Sequence, residues 1–358
     1  MSTRTPYRVA VIPGDGIGTE VLPPALRALE VLAERGGFAF DLDHFDWSCQ
    51  RYLETGAMMP EDGLDQIAGH DAILLGAVGW PGVPDHVSLW GLLIPIRRQF
   101  RQYVNLRPIK VMAGLPGPLR DSDGVDFVVV RENVEGEYSE IGGRLNRGFP
   151  EEMAVQEAVF TRAGVTRIVD YAFDLAAARG GSLTSATKSN GIVHTMPFWD
   201  EIVRERAASY DVPWRQEHID ALVAKLVLQP AAYDVIVGSN LFGDILSDLA
   251  AAIAGSIGIA PAANINPERE FPSMFEPVHG SAPDIAGTGV ANPLGALWSA
   301  SMLLDHLGEA EAGRALMAGI ERTLADGTTR TPDLGGTATT DEMADAVIAA
   351  TIQTTTES

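Results

Sequence analysis

The chain of 358 residues contains a single cysteine, Cys49. One thiol excludes an intrachain disulfide and fits a reducing cytosol. Nothing in Trp47-Ser-Cys-Gln50 suggests a nucleophile, so the thiol reads as inert. Basic residues are scarce: 26 Lys and Arg against 48 Asp and Glu leave a formal net charge of −22. Without a basic face to neutralise phosphates, neither a nucleic acid nor an anionic membrane surface is an expected partner. Long apolar runs are missing too. The longest, around Leu249 to Ala263, is broken by Gly255, Gly258 and Pro261 and is too short to span a bilayer. The stretch Met1 to Arg8 lacks a signal-peptide apolar segment, so a soluble, cytoplasmic protein is expected. There is no internal repeat and no low-complexity linker. What is present is core-forming material, 46% hydrophobic and 21% charged residues, enough for two domains or one large α/β unit. An anionic substrate would need arginines concentrated locally against the global negative field.

Short β-like runs alternate with helical segments, the pattern of a largely parallel sheet wrapped by helices. Arg8-Val-Ala-Val-Ile12 reads as a strand, followed by a glycine-rich turn and a helix to about Arg35. Ala72-Ile-Leu-Leu75, Phe127-Val-Val-Val130 and Asp234-Val-Ile-Val237 read as buried strands, the last leading through Gly238-Ser-Asn240 into a helix. Further helices are predicted over Leu294 to Leu307 and Thr340 to Ile352, with Thr354 to Ser358 fraying. Tyr138 to Ala158 carries Gly142, Gly143, Gly148 and Pro150, then alternating Met153, Val155 and Val159. It is either a surface hairpin or an arm that pairs with a second subunit.

Asp244 and Asp248 lie four residues apart in the otherwise apolar Asn240 to Ala254, so a helix would put both on one face. They could be a wet helix face. Alternatively, two like charges beside Leu and Ile call for a cation between them, and oxygen ligands suit Mg2+ or Mn2+. Arg97, Arg107 and Arg131 each adjoin a predicted strand or helix end. Single arginines there are usually ion-paired, whereas several in one cleft would clamp a di- or tricarboxylate. Lys188 is an exposed charge or, beside a metal, a base. Tyr138 is core-lining or a general acid, and Asp220 alone says little. Gly14-Asp-Gly-Ile-Gly18 has G-x-G-x-G rather than G-x-G-x-x-G spacing, a weak dinucleotide signal that supports only a tight turn near a cofactor. Phe275 to Gly287, rich in Gly, Pro and Ser, is a long connection or a phosphate-binding loop of backbone N–H groups.

Taken together, Gly14-Asp-Gly-Ile-Gly-Thr-Glu20, Asn240-Leu-Phe-Gly-Asp-Ile-Leu-Ser-Asp248 and Glu276-Pro-Val-His-Gly-Ser-Ala-Pro-Asp284 resemble the β-decarboxylating dehydrogenases of the isopropylmalate/isocitrate dehydrogenase family. Ser88-Leu-Trp-Gly91, Arg131-Glu-Asn-Val-Glu-Gly-Glu-Tyr138 and Leu183-Thr-Ser-Ala-Thr-Lys-Ser-Asn190 are similar to its D-malate/tartrate dehydrogenase branch. The resemblance implies a two-domain α/β fold outside the Rossmann class. A discontinuous cofactor-binding domain would hold 1–103 and 255–358, and a central domain, 104–254, the dimer contacts with an arm at about 138–158. It implies that Arg97, Arg107 and Arg131, with Ser88 and Trp90 nearby, bind the substrate. Asp244 and Asp248 would bind Mg2+ or Mn2+ together with Asp220 of a second subunit in a homodimer with shared active sites. Lys188, also from that subunit, would take the hydroxyl proton as hydride leaves C2 for NAD+. The metal would polarise the 2-keto group and stabilise the enolate formed on loss of CO2, which Tyr138 would protonate. The cofactor would lie along Glu276, His279, Gly280, Ser281, Ala282 and Asp284, with Asn292 near the adenine and Asn190 as a further contact. A carboxylate at Asp284 would bond the ribose hydroxyls and repel a 2′-phosphate, favouring NAD over NADP. A K+ requirement is left open.

Isopropylmalate enzymes of the family carry a Glu seven residues before the first clamp arginine, followed by two leucines; here that position is Trp90. A bulky indole should shrink the pocket around C3, favouring hydrogen or hydroxyl over isopropyl, and Trp90, Leu93 and Ile94 offer nothing to isocitrate's third carboxylate. Pro95 should kink the helix and disturb Arg97. The expected activity is NAD+- and metal-dependent oxidative decarboxylation of D-malate to pyruvate and CO2, with tartrate oxidation second and 3-isopropylmalate dehydrogenase the alternative. The alternative from another class is a non-catalytic regulatory subunit, against which the complete set of Tyr138, Lys188, Asp220, Asp244 and Asp248 argues.

Overall fold

The computed structural model describes residues 5–115, 117–119 and 124–357. Met1–Gln102, Val111–Pro118 and Ala251–Ser358 form one compact unit, and Tyr103–Lys110 and Leu119–Ala250 form another. In chain order the strands are β1 (Tyr7–Gly14), β2 (Phe40–His44), β3 (Ala72–Ala77), β4 (Val104–Lys110), β5 (Asp126–Glu132) and β6 (Gly142–Leu145). They continue with β7 (Met153–Gln156), β8 (Leu183–Thr187), β9 (Trp214–His218), β10 (Val235–Gly238), β11 (Pro261–Ile265) and β12 (Ser273–Pro277).

In the first unit β1 pairs in parallel with β2 and β3, β3 in parallel with β12, and β11 antiparallel to β12. Every residue of β3 is buried, as its unbroken apolar run requires of a parallel strand covered on both faces. One cover is helical: Gly18–Gly36 packs against Leu294–Leu307 and Thr340–Glu357. Elsewhere a cluster containing Trp47, Leu92, Ile96 and Phe100 packs with Ile12, Ile73 and Leu75. The last helix does not fray at Thr354 but runs to Glu357. The Thr351 and Thr354 hydroxyls donate back to the Val347 and Ala350 carbonyls at 2.8 and 3.0 Å, and the helix packs along Ala310–Asp326. Tertiary packing outweighs the modest helix propensity of threonine there.

In the second unit β4 pairs antiparallel with β5, and β5, β10, β8 and β9 follow in parallel. Each unit therefore carries one antiparallel pair in an otherwise parallel order. Strands β6 and β7 form a separate two-stranded antiparallel sheet. Ile141, Leu145, Phe149, Met153 and Val155 on this segment are exposed, an apolar surface that the single chain leaves uncovered.

Register then aims the side chains. Asn105 lies opposite Arg131 and Arg107 opposite Val129, so strand alternation puts both arginines on one face of the β4–β5 pair. Glu132 points to the other face and is 1% exposed. Its Oε1 accepts from the Val134 and Glu135 amides at 2.8 and 3.0 Å, while Oε2 is buried without a partner. Burial pushes this carboxyl up from 4.5 to about 7, against the pull of the Val134 amide and the Arg167 charge. The folded protein thus holds the proton more tightly than the unfolded chain. The site costs nothing below the unfolded value and loses stability as pH rises towards 7. The stability of Glu132→Gln relative to the wild type should rise by about 2.5 kcal/mol between pH 5 and pH 8. Thermal unfolding across that range reads this directly, and a pH-independent difference would contradict it.

Candidate active site

The second unit gathers four charged groups and a phenol. The helix Asn240–Ile253 follows β10 and presents Asp244 and Asp248 one turn apart. It approaches β5 so closely at Gly243 that a Cβ would lie 2.5 Å from Arg131 Cβ. That approach brings Arg131 Nη1 onto Asp244 Oδ1, while Nε and Nη2 donate to Asn240 Oδ1 at 3.1 and 2.8 Å. Arg107 reaches the same helix, with Nη2 3.3 Å from Asp244 Oδ1 and Nη1 3.3 Å from Asp248 Oδ1. Its Nη1 also donates to Ser247 Oγ at 2.6 Å and its Nε to Asn105 Oδ1 at 2.7 Å. Both guanidinium groups are buried, so they act at low dielectric. Asp248, the more exposed carboxylate, has its pKa raised by burial, with the Asp244 charge adding and Arg107 opposing.

Tyr138 Oη donates to Asp244 Oδ2 at 2.8 Å, and Arg131 lies 5.5 Å from its ring centroid. Burial, then the Asp244 charge, holds the phenol above its ordinary value, so it keeps its proton at neutral pH. The Arg131 to Tyr138 segment is wired by its own carboxylates. Besides Glu132, Glu135 accepts from the Thr161 amide and hydroxyl, both at 2.8 Å. Glu137 accepts from Ser239 Oγ at 2.8 Å and from the Leu241 amide at 3.1 Å, capping the helix that carries the aspartates. Sequence reasoning singled out Arg131 and Tyr138 and missed the three glutamates between them. Their only signal in the sequence was the density of carboxylates between Arg131 and Tyr138.

Lys188 follows β8 and its Nζ lies 2.8 Å from Asp220 Oδ1, which lowers the Asp220 pKa. Among the described residues of one chain, no three His, Cys, Asp or Glu side chains gather closely enough to hold a metal ion. Asp244 and Asp248 therefore supply two hard oxygen donors in the right chemistry but not a full set, and Asp220 does not join them within the chain. Asn190 is exposed in the turn after Lys188.

The other expected residues lie in the first unit. Arg97 is buried in the helix Ile94–Gln99, with Nη2 donating to Glu276 Oε1 at 2.8 Å and a buried Nε that has no partner. That orphaned donor suits a substrate carboxylate. Ser88 Oγ donates to the Asp85 carbonyl at 3.0 Å, and Arg98 lies 4.8 Å from the Trp90 ring centroid. In the 276–292 segment, His279 Nδ1 faces the Gly280 carbonyl at 2.9 Å and so carries the hydrogen, leaving Nε2 as a buried acceptor without a partner. Burial lowers the His279 pKa, which keeps that acceptor neutral. Gly280 and Asp284 are exposed, and Ala282 adopts φ +39°, a strained value for a residue with a Cβ. Asn292 is committed internally, accepting from the Leu294 amide at 3.0 Å and donating to Asp333 Oδ2 at 2.9 Å. The Gly14–Gly18 turn is filled by protein. Asp15 accepts from the Cys49 and Gly79 amides at 2.9 and 3.0 Å, and the Ser281 carbonyl accepts from Ile17 N at 2.9 Å. At Gly16, with φ +54°, a Cβ would come within 2.0 Å of that carbonyl oxygen.

The chain belongs to the isocitrate/isopropylmalate dehydrogenase family, whose sequence pattern it matches over residues 8–347. It is 54% identical over 351 residues to a D-malate dehydrogenase [decarboxylating] of Escherichia coli (strain K12), covering 95% of this chain and 97% of that protein. It is 53% identical over 353 residues to a tartrate dehydrogenase/decarboxylase of Pseudomonas putida, covering 95% and 96%. Among solved structures, the isocitrate dehydrogenase of Methylococcus capsulatus superposes with a TM-score of 0.87 at 34% identity, covering 96% of this chain and 99% of that one. A β-decarboxylating dehydrogenase of Thermococcus kodakarensis gives 0.80 at 39%, covering 97% and 96%. The resemblance read from the motifs is thus borne out in family and in fold.

Because Gly243 abuts Arg131 at its Cβ and Cα, Gly243→Ala must push the helix off the strand. It should lower kcat/KM by about tenfold or more through displacement of Arg131 and Asp244. Wild-type kcat/KM in a folded Gly243→Ala variant would contradict this.

Proposed function

We propose that the protein catalyses the NAD+-dependent oxidative decarboxylation of a small (2R)-2-hydroxy dicarboxylate, D-malate first, giving pyruvate, CO2 and NADH. Oxidation of tartrate is a second activity. The observation that carries this reading is the Tyr138–Asp244 hydrogen bond, set among two buried arginines and a second carboxylate one turn away. It is supported by more than half identity to relatives named for D-malate and tartrate.

On this reading Arg97, Arg107 and Arg131 receive the substrate carboxylates, with guanidinium geometry favouring bidentate contact. Lys188 accepts the proton of the 2-hydroxyl. Its Nζ lies 2.8 Å from Asp220 Oδ1. Tyr138, still protonated, returns a proton to C3 after CO2 departs, and the phenolate formed is neighboured by Arg131. A divalent metal held by Asp244, Asp248 and the Asp220 of a second copy supplies, when bound, a positive charge for the 2-oxygen and for the charge left by CO2. Glu276 to Asp284 would hold NAD, which would supply the hydride acceptor when bound, and the neutral His279 Nε2 would accept a hydrogen bond from it. The unpartnered Asp284 carboxylate would repel a 2′-phosphate.

The need for a second copy has physical support. The helix Ile219–Leu228, which carries Asp220 in its first turn, ends in exposed Val227 and Leu228, the turn after Lys188 exposes Ile192 and Val193, and Ile245 is exposed between the two aspartates. Apolar surface around an unfinished charged site is what an obligate interface covers. With the exposed β6–β7 segment it supports a homodimer.

NADH formation with D-malate, both tartrate enantiomers and 3-isopropylmalate, each with Mn2+ and with EDTA, tests the assignment. D-malate should be turned over best, EDTA should abolish turnover, and NADP should be the poorer cofactor. Turnover unaffected by EDTA, or isopropylmalate as best substrate, would refute the metal role or the Trp90 argument respectively.

A further inference from the structure

The motif Gly14-Asp-Gly-Ile-Gly-Thr-Glu20 opens the helix Gly18–Gly36, yet its amides are spent on protein. A phosphate at that helix start would need free backbone N–H groups. Asp15 N donates to the Ala77 carbonyl at 2.7 Å and Ile17 N to the Ser281 carbonyl at 2.9 Å. The amides of Gly18, Thr19, Glu20 and Val21 donate to the carbonyls of Asp15, Gly16 and Ile17 at between 2.9 and 3.2 Å. What the motif sends outward is a carboxylate. Glu20, in the first turn of the helix, meets the chain just beyond Asp284. Its Oε1 accepts from the Gly287 amide and its Oε2 from the Gly289 amide, the latter at 2.9 Å.

Both ends of the stretch between Ser281 and Gly289 are thereby fixed. Ile17 holds Ser281 by its carbonyl, and Glu20 holds Gly287 and Gly289 by their amides. From the other side Thr340 N donates to the Gly289 carbonyl at 2.8 Å and Thr340 Oγ1 to the Ala291 carbonyl at 2.7 Å. Between these points the Ile285 and Ala286 amides close a turn on the Ala282 carbonyl at 3.1 and 3.2 Å, with Asp284 exposed inside it. The strained backbone of Ala282 persists only if its surroundings hold it. Glu20 is a firm support, because its helix buries Val21, Leu22 and Ala25 and packs against Leu294–Leu307 and Thr340–Glu357. Hydrogen bonds to a carboxylate are also roughly twice as strong as neutral ones. We propose that Glu20 is a positioning residue of this loop: its carboxylate ties down the Gly287 and Gly289 amides and keeps Ala282 and Asp284 in the conformation that receives NAD before NAD arrives. The role towards NAD rests on the reading above of Glu276 to Asp284; the tie itself stands on the hydrogen bonds. An ordered loop adds no ordering cost to binding, whereas a freed one weakens affinity by the fraction of chains that hold the right shape. The chemistry of the bound complex stays as it was.

The test is Glu20→Gln in the full chain, with Thr19→Ala as the control, since Thr19 Oγ1 donates to the Gly16 carbonyl at 2.9 Å. Glutamine keeps the length but loses the charge and turns an NH2 group towards one of the amides. In NAD-free protein, hydrogen exchange over residues 282–290 should quicken by about tenfold or more, with the helix Leu294–Leu307 unchanged. NAD+ titrated calorimetrically should bind about tenfold more weakly, and its KM should rise by a like factor. The kcat and the KM for D-malate should stay within about twofold of wild type. Thr19→Ala should alter none of these. If glutamine prevents folding, Glu20→Asp, which keeps the charge and loses reach, should show the same changes in smaller measure. Unchanged exchange over 282–290 would overturn the tie, and quicker exchange with unchanged NAD+ affinity would overturn the positioning role. A lower Tm and kcat at unchanged NAD+ affinity would mark plain support of the helix and overturn it too. If the wild type takes up no NAD+, the cofactor reading fails, and the exchange still decides whether Glu20 holds the loop.

Discussion

Two carboxylates four residues apart on one helix repel each other, and the second unit is organised to answer that repulsion. Arg107 and Arg131 reach Asp244 from neighbouring strands, Arg107 also touches Asp248, and Tyr138 donates its phenolic hydrogen to Asp244. The antiparallel register of β4 on β5 puts the two arginines on a common face, and Gly243 allows the helix to meet that face without a gap. Removing one partner would leave charge uncompensated at low dielectric, the costliest kind of loss. The glutamates of the Arg131–Tyr138 segment serve the same end. They bind backbone amides of the turn and of the helix N-terminus, so the donors and acceptors of the site are held by their neighbours and not by their own packing alone.

Much of this was legible in the sequence because it rests on local rules. The four-residue spacing of Asp244 and Asp248 needs only a helix, and the run Asp234 to Asn240 announced one. The buried strands at Ala72 and Phe127 showed themselves by unbroken β-branched and aliphatic runs. What stayed hidden depends on distant partners. Nothing near Glu132 signals that one of its oxygens is buried without a donor. Nor does anything near Asp15 show that its carboxylate ties down Cys49 and Gly79. Pro95 was read by the rule for an α-helix, which predicts a kink and a misplaced Arg97. The chain takes a different solution, a π-helical turn at Leu89–Leu93 leading into the helix Ile94–Gln99, and no local propensity distinguishes that from a break. The helical end at Thr354 likewise follows from packing against another helix.

The first unit shows the complementary pattern, groups left ready instead of groups satisfied. Arg97 Nε and His279 Nε2 are buried with no partner, and Ala282 holds a strained backbone in the loop between His279 and Asp284. Buried polar atoms without partners are expensive, and these two, on residues read as substrate and cofactor contacts, are each able to bond a ligand. Arg97 is at the same time held by Glu276, whose Oε1 accepts from Nη2 at 2.8 Å.

The central claim is that a complete site needs two chains: Lys188 and Asp220 from one, Tyr138, Asp244 and Asp248 from the other. Coexpression of differently tagged Lys188→Ala and Asp244→Asn chains, with activity measured on the purified mixture, tests it most directly. Each variant alone should be inactive. A random mixture forms mixed dimers in which one site carries both lesions and the other carries neither, so activity should return to about a quarter of wild type. A mixture with mixed dimers confirmed by native mass spectrometry, yet no more active than the two variants separately, would contradict the shared site.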